Sequence, residues 1–219
     1  MVCTGNTHKK AEIATIIGLN PSNERVPSFT QSRKLLIPAD VGLEFDPEEN
    51  GNSFYENSLI KARELHLLLT RNKLLESGDV IIADDSGICV DALDGRPGIF
   101  SARYAGAGKP ADNAKLEASR RNELLLEEAA GSEKRSARFV CAMVLLFNMN
   151  RFYVAQEVLE GELVKDIHSS RGTGGFGYDP ILYIPNMGRT VAELTEEEKN
   201  EVSHRAKAGK VISAILNCI

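Results

Sequence analysis

A mixed α/β fold is what this sequence predicts, and three features predict it. Segments with apolar residues at helical spacing alternate with short apolar runs of strand length. The alternation is irregular, without the strict strand–helix–strand rhythm of a purely parallel sheet. Turn residues punctuate nearly every junction. There is no internal repeat, low-complexity tract or evident linker. With 219 residues, 42% of them apolar, the chain is long enough for one domain over 1–219 or two closely joined lobes. It is also rich enough in apolar side chains to bury a sizeable core.

Only Met1, Val2 and Cys3 precede Thr4-Gly5-Asn6, so an opening strand is very short. Residues 9–17 place Ala11, Ile13, Ala14 and Ile17 at helical spacing, and Gly18-Leu19-Asn20-Pro21 stops that helix. Residues 20–32 read as turn-rich loop, 34–37 as a candidate strand and 44–51 as an acidic loop. Ser53 and Glu56 form the Ser-x-x-Glu pattern of a capping box, which starts a helix running to about Leu69. Residues 79–83 make a short apolar strand, followed at once by Asp84-Asp85-Ser86-Gly87. Residues 88–98 read as strand then tight turn, and 110–130 as a long, mostly polar helix. Residues 138–147 and 152–163 pair as antiparallel strands around Asn148-Met149-Asn150. A glycine-rich loop over 172–177 precedes a strand at 181–184, and Thr195 with Glu198 gives a second capping box and a helix near the C-terminus.

Charge and cysteines bound the function. A net charge of −5 argues against a nucleic-acid-coating surface, yet a few local cations suffice to bind a small polyphosphate. The longest apolar run, 139–147, is too short to span a bilayer, and the start does not read as a signal peptide. Cys3, Cys89, Cys141 and Cys218 are scattered without a Cys-x-x-Cys pair. That spacing suits reduced thiols in a cytoplasm and offers no zinc site.

Five stretches carry candidate chemistry, each with a plainer alternative. In Thr4-Gly5-Asn6-Thr7-His8-Lys9, glycine admits a phosphate close to the backbone, the helix N-terminus offers free N–H groups and Lys9 adds a charge; the stretch also reads as an ordinary capped turn, and it lacks full P-loop spacing. Asp84-Asp85 ends an apolar strand. Neighbours on a strand point to opposite faces, so one carboxylate meets a site and the other supports the scaffold. The donors are hard oxygens, hence Mg²⁺ rather than zinc; the alternative is a polar turn. Glu48-Glu49 either completes a magnesium site or is solvated, Glu56 is accounted for by its cap, and Lys61 reads as a ligand or a solvent-facing lysine. Gly174-Gly175-Phe176-Gly177-Tyr178-Asp179-Pro180 suggests backbone folded against a flat ligand with Phe176 stacking on a base, or a hairpin loop with Phe176 in the core. Ser203-His204-Arg205 restarts a helix after Lys199. His204 and Arg205 then either donate to a base or phosphate or simply line a polar face.

Taken together and in order, these motifs resemble the inosine triphosphate pyrophosphatase family, which removes deaminated purine nucleotides. The matching pieces also include Gly51 before Phe54-Tyr55-Glu56-Asn57-Ser58, Lys61-Ala62, Gly98 through Gly106, and Ala192-Glu193-Leu194; they span residue 4 to about 206. The resemblance implies a long mixed β-sheet with flanking helices, forming two lobes around a central active-site cleft, in a protein that is commonly a homodimer. It implies that Thr4, Gly5, Asn6, Thr7, His8, Lys9 and Lys61 hold the triphosphate. Glu49 and Asp85 would bind Mg²⁺, with Asp85 also the proposed general base. Ser86 would contact substrate, Phe176, Gly177, Tyr178 and Asp179 would line the base pocket, and Lys199, His204 and Arg205 would complete nucleotide recognition. The implied reaction is hydrolysis of ITP, dITP or XTP to monophosphate and pyrophosphate. A pyrophosphatase for modified pyrimidine triphosphates and a non-catalytic nucleotide sensor are the rivals. The Phe-Gly-Tyr-Asp and Ser-His-Arg pieces argue against the first, and intact Glu49 and Asp85 against the second.

Overall fold

The computed structural model describes residues 1–3, 7–18, 34–106 and 116–218, with Thr7, His8 and Lys9 described by their backbone alone. Thr4, Gly5 and Asn6 of the expected phosphate loop, and the side chains of Thr7, His8 and Lys9, therefore lie outside the described residues. Among the described residues six strands form one sheet in the order β1 (Val2–Cys3), β2 (Ile81–Val90), β3 (Ser136–Asn148), β4 (Arg151–Leu163), β5 (Leu182–Ile184) and β6 (Arg189–Thr190). β1 runs parallel to β2, with Val2 opposite Ile82, whereas β4, β5 and β6 pair antiparallel. β3 and β4 are neighbours joined by two residues, a connection that only antiparallel strands can use. Asn148 Oδ1 closes that turn by accepting the N–H groups of Asn150 and Arg151, each at 3.0 Å. The helices are α1 (Thr7–Ile16), α2 (Phe54–Arg71), α3 (Ala118–Ala129), α4 (Glu196–Val202) and α5 (His204–Leu216). The expected mixed α/β class is thus the observed one. No helix among the described residues is long and apolar enough to cross a membrane.

The chain divides into two compact units. The first comprises Met1–Asp85, Ala142–Glu157 and Arg205–Ile219; the second comprises Ser86–Cys141 and Val158–His204. Each has its own core. In the first, Ala62, Leu65 and Leu69 of α2 bury against Cys3, Ile81, Ala83, Val144 and Leu146. Fully burying a leucine of this kind contributes about 1.5–3 kcal/mol. In the second, Leu125 and Leu126 of α3 pack with Ile88, Val90, Phe139, Leu159, Leu163 and Leu182. Gly209 sits mid-helix in α5 because α1 crosses it closely: a Cβ at 209 would lie 2.5 Å from Ile16 Cγ2.

Both capping boxes start helices. Thr195 and Glu198 cap α4 reciprocally, while Ser53 accepts the Glu56 N–H and the Glu56 carboxylate reaches one residue further back, to the Asn52 N–H at 2.7 Å. Three expectations are corrected. Residues 34–37 form no strand. Leu36 O accepts the Val2 N–H at 2.7 Å, but Pro38 has no N–H to continue a ladder and instead opens a 3-10 turn, Pro38–Val41. The helix expected over 110–130 begins at Ala118; residues 107–115 lie outside the described residues. Asp84-Asp85-Ser86-Gly87 is no turn: β2 runs straight through it.

Candidate active site

β2 carries two carboxylates side by side in a buried strand, and alternation sends them to different partners. Asp85, 7% exposed, faces α2. Its Oδ1 lies 3.4 Å from Lys61 Nζ, and its Oδ2 accepts from Asn57 Nδ2 at 3.2 Å. The same Lys61 ammonium lies 3.4 Å from Glu49 Oε1, at the end of the acidic loop. Lys61 is 8% exposed, so the solvent-facing reading of this residue is overturned. Burial alone would lower its pKa, but the field of Asp85, Asp84 and Glu49 outweighs burial and holds the ammonium above the ordinary lysine value. The result is a buried cation bridging two acidic side chains of one unit.

Asp84 turns the other way. Its Oδ2 accepts from Arg205 Nε at 3.3 Å, and Arg205 Nη1 donates to Glu12 Oε2 at 2.8 Å. Arg205 is 2% exposed, so its guanidinium ties β2, α1 and the first turn of α5 together. The alternation expected for Asp84-Asp85 is the one observed: one carboxylate sits in an ionic cluster beside Lys61, and the other braces the scaffold.

In the second unit the glycine-rich stretch is a tight loop ending in a 3-10 turn, Asp179–Ile181. Asp179, 4% exposed, organises it: Oδ2 accepts both the Phe176 N–H at 2.9 Å and Lys199 Nζ at 2.9 Å. Gly175 has φ +73°, and a Cβ there would collide with the Asp179 carboxylate, so both the conformation and the space demand glycine. Phe176 is 41% exposed, which overturns the core reading, and Lys199 Nζ stands 4.9 Å from its ring centroid. Tyr178 is buried and donates to Ser101 O at 2.8 Å; burial raises the pKa of its phenol, so it stays a donor. Asn122 of α3 donates to Gly177 O at 3.1 Å. His204 is buried with its ring 5.0 Å from that of Phe139. Ser86 is half-buried on β2, where the strand passes from the first unit into the second.

Such a constellation has known counterparts. The Ham1 family model matches residues 1–215. The chain belongs to the Ham1 family. Two similar relatives are dITP/XTP pyrophosphatases. The one from Treponema denticola is 42% identical over 207 residues, covering 94% of this chain and 92% of its own. The one from Halalkalibacterium halodurans is 40% identical over 217 residues, covering 99% and 98%. A solved HAM1 protein from Coxiella burnetii is similar in structure, with TM-score 0.77, 34% identity and coverage of 100% of this chain and 98% of its own. The family resemblance read from the motifs is therefore borne out.

In this Ham1-family chain, Glu49, Lys61 and Asp85 come together, as do Phe176, Asp179 and Lys199; Arg205 belongs with Asp84 and Glu12 instead. Sequence reasoning missed Asn57, which is fully buried between Asp85 and the acidic loop. The available signal was its spacing: Asn57 and Lys61 are four apart on one helix and so share a face. Among the described residues no three His, Cys, Asp or Glu side chains form a metal cluster. Glu49 and Asp85 do fit Mg²⁺, which is characteristically held by one or two carboxylates plus substrate phosphates, and Lys61 shows that both carboxylates reach a common cation.

Proposed function

We propose that this chain is a Mg²⁺-dependent nucleoside-triphosphate pyrophosphatase that hydrolyses ITP, dITP and XTP to monophosphate and pyrophosphate, keeping such nucleotides out of DNA and RNA. The observation that carries the reading is the Lys61 ammonium held 3.4 Å from both Glu49 and Asp85. Family membership and the names of the relatives support the substrate class.

Water attacks the α-phosphorus; a new P–O bond forms as the bond to the bridging oxygen breaks and pyrophosphate leaves. In this reading Asp85 orients that water and takes its proton. Lys61 donates to the phosphate oxygens, joined by Lys9 and the Thr4–Thr7 backbone. Glu49 and Asp85 would hold Mg²⁺, which would supply charge neutralisation where negative charge grows, usually the largest single catalytic contribution. The base stacks on exposed Phe176, and Lys199, anchored by Asp179, offers its remaining ammonium protons to a 6-oxo group. Tyr178 and Gly177 shape the loop, Ser86 contacts substrate and His204 adds a second donor. Arg205, engaged by Asp84 and Glu12, contributes by holding β2 and α1. The resemblance also supports a cytoplasmic homodimer acting on free nucleotides, rather than on nucleic acid or a membrane. Chromatography of an ITP digest tests the reaction: inosine monophosphate and pyrophosphate are the expected first products, and inosine diphosphate with phosphate would refute it.

A further inference from the structure

We propose that Asn57 is a positioning residue that fixes Asp85 and the Glu49 loop relative to each other; this rests on the reading that those two carboxylates hold Mg²⁺. Asn57 is 0% exposed. A buried carboxamide is costly unless its donors and acceptor are engaged. Both ends are: Oδ1 accepts the Gly51 N–H at 2.9 Å, and Nδ2 donates to Asp85 Oδ2 at 3.2 Å. The amide has only one workable orientation, because a flip would set its oxygen against a carboxylate oxygen and its N–H₂ against an N–H.

The two bonds join two pieces of chain, β2 and the acidic loop, that are also linked through Lys61. Gly51 lies two residues beyond Glu49 in a stretch, 44–51, without helix or strand, so its register depends on side-chain ties. The start of α2 supplies two in succession: Gly51 N–H to Asn57, and Asn52 N–H to Glu56 at 2.7 Å. The approach is close. A Cβ at Gly51 would lie 2.7 Å from Asn57 Oδ1 and 2.8 Å from Glu56 Cβ. On the other side, Asn57 and Lys61, one helical turn apart, take one oxygen each of Asp85, which sets the plane of its carboxylate. One amide thus transmits the position of β2 to the loop that bears Glu49. Groups that orient metal ligands without touching the metal commonly control affinity for it.

Asn57→Leu removes both bonds while keeping the branch at Cγ, and Gly51→Ala, whose Cβ would meet Asn57 Oδ1, strains the loop side of the tie while both side chains remain. For each variant of the full chain, three quantities are measured: the free Mg²⁺ giving half-maximal pyrophosphate release from ITP, the ITP KM at saturating Mg²⁺, and hydrogen exchange at the residue-51 amide without metal or nucleotide. The Mg²⁺ requirement should rise about 10–100-fold, while the KM for ITP changes by less than about threefold, as expected when an outer-shell tie to the metal rather than a nucleotide contact is lost. The residue-51 amide should exchange faster in Asn57→Leu. If Asn57→Leu does not fold, Gly51→Ala decides alone. An unchanged Mg²⁺ requirement in a folded variant, beside a wild type that needs Mg²⁺, overturns the role of Asn57 only. A wild type indifferent to Mg²⁺ overturns that role together with the magnesium reading.

Discussion

Arg205→Met should destabilise the protein by about 3–5 kcal/mol, the range for removing one partner of a buried ion pair. The side chains of Arg205 and Asp84 are 2% and 1% exposed, so the Asp84 carboxylate would lose its guanidinium where water cannot replace it. Glu12 is 22% exposed, and losing its contact adds no more than about 1 kcal/mol. For a chain of this size each kcal/mol moves Tm by about 2–4 °C, so a loss of about 4 kcal/mol lowers Tm by roughly 8–16 °C. Thermal and urea unfolding followed by circular dichroism measure it. The sign has an internal control: replacing both Arg205 and Asp84 by apolar residues should recover much of the loss, because the desolvation cost of both charges disappears together. A loss below about 1 kcal/mol for Arg205→Met, or a double variant weaker than the single one, would refute a buried scaffold role.

Two further predictions concern the carboxylate pair and the thiols. Asp85→Asn and Glu49→Gln should each lower turnover by on the order of 10²-fold or more at saturating Mg²⁺, with an unchanged circular dichroism spectrum, because a hard anionic donor is lost at constant size; near-normal turnover would mean that other carboxylates carry the reaction. Of the four free cysteines, exposed Cys218 should react first with a thiol reagent and half-buried Cys89 more slowly, while Cys3 and Cys141 require unfolding. Burial raises the Cys3 pKa well above the ordinary thiol range, so moderate alkalinity should not release it; rapid native-state labelling of all four would contradict the buried β1 strand.

What was legible in the sequence was mainly local. Ser53 with Glu56 and Thr195 with Glu198 announced two helices because a cap is a contact between residues three apart. The β3–β4 pair showed itself through long apolar runs around Asn148-Met149-Asn150. Local propensity ends β2 at residue 83, because two aspartates and a serine suit a turn. They stay in the strand because Lys61 and Asn57 on one side, and Arg205 on the other, satisfy the carboxylates from distant positions. No spacing rule links residues 12, 84 and 205, so the brace around Arg205 is invisible in the sequence. Lys61 and Asn57 were within reach: they sit on the same face of α2 as Leu65 and Leu69, where buried polar residues imply partners. The base-loop aromatic stayed undecided until exposure separated Phe176 from the core.

The central claim is best tested by kcat/KM for ITP, XTP, GTP and ATP, measured as pyrophosphate release at matched Mg²⁺. In the proposed reading Lys199 and His204 present donors, which a 6-oxo group accepts and the 6-amino group of adenine opposes. Each buried donor left unpaired costs about 1–3 kcal/mol, and a site built on such bonds rejects the wrong partner by orders of magnitude. ITP and XTP should therefore exceed ATP by roughly 10²-fold or more. GTP, which shares the 6-oxo group, should be rejected less strongly. Equal efficiency with ATP and ITP would contradict the donor-lined site and, with it, the assignment to non-standard purines.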